Sequence, residues 1–182
     1  MVRLADEIFR SLEDEPRPGH GVYWGVYGVD FHMPVDFNLH EHQLRSGHIR
    51  LSFERGSGRD RRLVHVHRVS MAQMLLQDTD LDTWYRAFFR KDLKEVSIET
   101  KPRSIQIGHV EHEGLAVSGV PRSRLRMLLR PLPLVNPRPR QYLHAVLWHC
   151  EQANRICLIE HLYRTRDDEG GQIGRASCRE RV

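Results

Sequence analysis

The chain has 182 residues, 40% of them hydrophobic, with 28 basic and 24 acidic side chains and a formal charge of +4. That length and apolar share suit one globular domain with a sizeable core, and so small a charge excess gives little support to a nucleic-acid partner. No window approaches the roughly 20 apolar residues that a membrane-spanning helix needs, and Met1-Val2-Arg3-Leu4-Ala5-Asp6-Glu7 lacks the apolar run of a signal peptide. With cysteine confined to Cys150, Cys157 and Cys178, a reducing, cytoplasmic setting is expected.

Leu4, Ala5, Ile8, Phe9 and Leu12 recur at helical spacing before Glu13-Asp14-Glu15-Pro16-Arg17-Pro18-Gly19 breaks the pattern. A short N-terminal amphipathic helix and a linker are predicted. From Val22 to Leu39 the residues are aromatic and β-branched, interrupted by Gly25, Gly28 and Pro34, which predicts a strand with a bulge or bend. His48 to Glu54 and Arg62 to Val69 flank the polar, glycine-bearing Arg55–Arg61 connection and read as a hairpin.

The strongest local pattern follows. Thr79-Asp80-Leu81-Asp82 supplies a cap and early acids; Leu81, Trp84, Tyr85, Phe88, Phe89, Leu93 and Val96 then form one stripe, with Lys91 and Lys94 near its end. This predicts an amphipathic helix over about 80–96 whose apolar face covers a sheet, burying Trp84, Phe88 and Phe89. Ser104 to Val110 and Leu115 to Val120 enclose Glu111-His112-Glu113-Gly114 as a second hairpin, and Tyr142 to Cys150 with Arg155 to Tyr163 form a third across Glu151–Asn154. The expected class is α+β, a largely antiparallel β-sheet covered by one main helix plus the short N-terminal one.

Between the last two hairpins, residues 121–140 hold five of the nine prolines and no acid. They also hold Arg122, Arg124, Arg126, Arg130, Arg138 and Arg140. Such a stretch suits an extended connecting loop, and it is the one concentrated basic surface, fit for an acidic partner. Ile173–Val182 resembles a short-read sequencing adapter translated in one frame, which implies a single domain over residues 1–171, truncated at its C-terminus, and a non-native tail over 172–182 that packs against nothing. Setting aside its three arginines and one glutamate leaves 25 basic and 23 acidic residues and a charge of +2.

The twelve histidines raise metal chemistry. His65-Val66-His67 places both imidazoles on one face of a strand. That pair is similar to the opening of a cupin metal motif, whose following glutamate is missing from Arg68-Val69-Ser70-Met71-Ala72-Gln73. Metal and cofactor are therefore not expected; the alternative is a metal-dependent or hydrolytic enzyme using His65 and His67 with His48 or His109. His149 and Cys150, as strand neighbours, point to opposite faces and cannot form a thiolate pair.

Phe31-x-Met33-Pro34-x-Asp36-Phe37, the following hairpin, the Leu81 helix and the paired strands through Trp148-His149-Cys150 and Arg155 are similar in order to the PsbP superfamily. The resemblance implies an α/β/α-like sandwich that serves as a binding or accessory module without catalysis. The expected function is thus that of a prokaryotic-type, cytoplasmic, non-catalytic binding domain with a protein partner and no membrane contact. Its candidate contact residues are Tyr23, Trp24 and Tyr27 together with the six arginines of 121–140.

Overall fold

Alternation of β-branched or aromatic residues with polar ones dominates the chain, and strands result. In the computed structural model, which describes residues 21–107, 110–122, 141–164 and 176–177, 63% of the described residues lie in strands and 15% in helical turns. In chain order these are β1 (Val22–Val26), β2 (Val29–Met33), β3 (Asn38–Arg45), β4 (His48–Arg55), β5 (Arg62–Ser70), α1 (Ala72–Leu75) and α2 (Leu81–Phe88). There follow β6 (Val96–Ile107), β7 (Val110–Pro121), β8 (Tyr142–Cys150), β9 (Arg155–Tyr163) and β10 (Ala176–Ser177).

Seven strands form one sheet in the order β3-β4-β5-β9-β8-β7-β6, antiparallel throughout. Two meanders, β3 to β5 and β6 to β9, meet where β5 pairs with β9, Val66 opposite Ile159. The helical segment between β5 and β6 crosses one face. There Tyr85, Phe89, Leu147, Ile156 and Leu158 pack together. The β1–β2 hairpin covers the other face, where Phe31, Phe53, Val66, Trp148 and Ile159 form a second core. Burial on both sides explains the unbroken apolar run Ile156-Cys157-Leu158-Ile159 in β9. Phe53, Leu147 and Ile156 are fully buried, each contributing about 1.5–3 kcal/mol of transfer free energy.

Several expectations need correction. The fold is mostly β rather than α+β with a main helix: α2 is eight residues long, not the seventeen of 80–96. Leu93 and Val96 continue the apolar stripe, but Leu93 sits in a 3-10 turn (Asp92–Glu95) and Val96 opens β6. Two-residue alternation in Val96-Ser97-Ile98-Glu99-Thr100 prevails over helical spacing because β7 pairs with it residue for residue. Nor is the second face covered by a helix among the described residues, as the PsbP likeness implies; a hairpin does that work.

Val22–Leu39 is not one bent strand. Tyr27 (φ 50°) and Gly28 (φ 75°) make a tight two-residue turn, the left-handed pair that a twisted hairpin requires. Tyrosine in the first of these positions conceals the signal. Glu111–Gly114 is likewise not a turn but the body of β7, opposite Arg103–Gln106. A Cβ on Gly114 would collide with the Leu147 carbonyl oxygen and Ile105 Cδ1, so this glycine serves close strand approach.

The predicted N-terminal helix, Arg124, Arg126, Arg130, Arg138, Arg140 and His109 lie outside the described residues. Of the 172–182 segment, the described residues Ala176 and Ser177 pair with Phe31 and Asp30. An open strand edge accepts any backbone, whatever its side chains. Among the described residues no helix is long and apolar enough to cross a membrane.

Candidate functional site

The period of two and the β4–β5–β9 register bring distant polar residues onto the helix-covered face. His48 and Ser52 from β4, His65 and His67 from β5 and Glu160 from β9 share it, with Ser52 and Glu160 on either side of His65. Helix α2, capped where Asp80 Oδ1 accepts from the Thr83 amide at 2.7 Å, sets Tyr85 and Phe89 above them, one turn apart. The Tyr85 hydroxyl donates to Glu160 Oε1 at 3.0 Å. Glu160 Oε2 lies 3.3 Å from His67 Nε2, at ion-pair separation although the N–H is off the hydrogen-bond line. His67 Nδ1 in turn shares a 3.0 Å hydrogen bond with His48 Nε2. Beside this chain, His65 Nδ1 and Ser52 Oγ share a bond of 2.8 Å.

Charge is tightly held here. Burial opposes ionisation of Glu160, yet the contact with His67, the fields of His67 and His65 and the Tyr85 hydroxyl keep its carboxyl below the usual range. Burial lowers His48 to about 4, helped by His67, Arg50 and Arg45. Burial also lowers His65 to about 4, against the opposing pull of Glu160. Desolvation and the adjacent Glu160 push the Tyr85 phenol upward. Near neutral pH the two lowered imidazoles are therefore uncharged and Glu160 is ionised.

Ser52 with His65 has the pairing of a nucleophile and its base, but access decides what chemistry follows. Ser52 is 1% exposed, His67 3% and Tyr85 0%, so no substrate reaches them. His48 and His65 are each only partly buried, His48 beside the 43% exposed Phe88. The structure does bring His48, His65 and His67 together, as the enzyme alternative requires. They are not arranged as a ligand set, since His67 turns one nitrogen to His48 and the other to Glu160. Among the described residues no group of three or more His, Cys, Asp or Glu side chains is placed to hold a metal ion. Sequence reasoning found the histidines and missed Ser52, Tyr85 and Glu160; a lone carboxylate within the apolar run of β9 was the available signal.

The other candidate residues scatter. Tyr23 and Tyr27 are exposed, while Trp24 turns inward, its ring edge-on to Phe53 at 4.9 Å. Arg122 donates through Nε to the Val96 carbonyl at 3.2 Å. Cys150 pairs with Arg155 and His144 with His161, which keeps both histidines well along the strands from that thiol.

A broad open groove of about 1060 Å³ runs between the start of α2 and the β6–β7 hairpin. Asp80, Asp82, Glu111, Glu113 and Glu151 line it, against Arg103 as its one guanidinium. Asp82 is paired with Arg86 and Glu111 accepts from Ser104. Glu113 and Glu151 have no partner among the described residues. Neither a protein-family model nor a curated protein matches this chain. Two places therefore carry the chemistry of this chain, one largely buried and one open.

Proposed function

We propose that the chain is a non-catalytic binding domain whose groove takes a cationic, extended segment of a protein partner. The observation that carries this reading is the separation of the two sites. Ser52, His67 and Glu160 are closed off under α2, while the open groove offers the unpaired carboxylates of Glu113 and Glu151. An acidic partner, which the arginines of 121–140 lead one to expect, would suit that segment and not this groove. The unbridged, buried Cys150 and Cys157 support a reducing, cytoplasmic setting.

Exposed ion pairs contribute about 0.2–1 kcal/mol each, so affinity should come from several contacts and fall with salt. In a fluorescence anisotropy titration an Arg/Lys-rich peptide should bind, and a Glu-rich peptide of equal length should not. Glu113→Gln with Glu151→Gln should weaken binding about fivefold or more. Equal binding of both peptides, or an unchanged affinity in the double variant, would sink the proposal.

A further inference from the structure

On the hairpin-covered face, away from the groove and independent of that reading, two arginines stand together without an acid. In the β5–β9 register Arg68 is opposite Cys157 and Ser70 opposite Arg155, which makes Arg68 and Arg155 diagonal neighbours on one face. Four other arginines are paired with carboxylates: Arg50 with Glu41, Arg55 with Asp36, Arg61 with Glu54 and Arg86 with Asp82. Neither Arg68 nor Arg155 has such a partner among the described residues, and the Nε of each is buried without a hydrogen bond.

The Tyr27–Gly28 turn fixes one of the two forks. Arg155 Nη1 donates to the Gly28 carbonyl at 2.6 Å, and a Cβ on Gly28 would stand 2.9 Å from that nitrogen. Glycine there lets the turn come down onto the guanidinium while tolerating φ 75°. Arg68 has no hydrogen bond of its own among the described residues, and burial together with the charge of Arg155 pulls it below its ordinary value. Two partly buried like charges with unmet donors are unfavourable alone and favourable around a shared anion. Planar guanidinium forks match tetrahedral oxyanions through paired N–H groups.

We propose that Arg68 and Arg155 bind a doubly charged oxyanion, either free phosphate or the phosphate group of a small ligand. Inorganic phosphate should raise the Tm of the full chain saturably near neutral pH, whereas chloride at matched ionic strength should not. Phenyl phosphate distinguishes the sources: binding as tight as phosphate or tighter points to a phosphorylated ligand, and weaker binding to the free anion. Arg68→Gln should weaken phosphate at least tenfold. Arg68→Met, which removes the repulsion and the unmet donor, should raise the Tm in phosphate-free buffer and abolish its response to phosphate. The absence of a saturable phosphate effect on the parent chain, or an equal effect on parent and Arg68→Met, would overturn the proposal.

Discussion

His48 and His65 lose their proton affinity on folding, and that loss makes stability depend on pH. Both titrate near 4 in the fold against an ordinary value of 6.5. Between those values the unfolded chain binds more protons, so stability rises with pH; their contribution is complete above about 6.5 and is lost as pH falls towards 4. Glu160 acts in a lower window. Its folded value is depressed, so its contribution is present above the ordinary carboxylate value and disappears below it. Urea midpoints measured from pH 7 to pH 4 should therefore decline, with His65 responsible for on the order of 2–3 kcal/mol and half-exposed His48 for less. His48→Gln combined with His65→Gln should flatten this decline; an unchanged slope would assign the acid sensitivity to other groups.

Helix α2 shows what its stripe secures once the element is shortened. Trp84, Tyr85 and Phe89 are buried, whereas Phe88 is 43% exposed, stacked on Trp84 at 4.9 Å with His48 against its edge. Two aromatic neighbours in sequence thus differ in energy because only one points into the sheet. Phe89→Ala should cost about 3–5 kcal/mol and Phe88→Ala about 1 kcal/mol or less, compared by urea unfolding. Equal losses would mean that Phe88 closes over His48 in solution. The edges show a second use of side chains. Lys101, Pro102 and Arg103 occupy the middle of β6, and β3 carries a register shift between Leu39 and Glu41. Charge, proline and a bulge each discourage edge-to-edge pairing.

Across the whole molecule, the β5–β9 seam ties together segments far apart in the chain, which makes folding depend on non-local contacts. Backbone amides of Val66, Leu147 and Leu158 lie in central strands with both faces covered. They should exchange last and report the global unfolding free energy. Amides in β3 and β6, at the two edges, should exchange earlier. Hydrogen exchange followed by mass spectrometry checks the order, and slower exchange in β3 than in β9 would contradict the sheet order.

The β4–β5 and β8–β9 hairpins and the start of α2 were legible in the sequence because each is a local matter: a turn between alternating runs, or a capping aspartate before an apolar stripe. The tight turn at Tyr27–Gly28 and the true extent of β6 and β7 were not, since tyrosine masks the first and a glycine required by the Leu147 backbone imitates a turn in the second. His65 and His67 could be placed on one face from their spacing alone. That they meet His48, Ser52, Tyr85 and Glu160, and that Arg68 stands beside Arg155, follows from the β4–β5–β9 register. Register is decided by which apolar sets bury against each other across the whole sheet, so only the tertiary structure could create these sites.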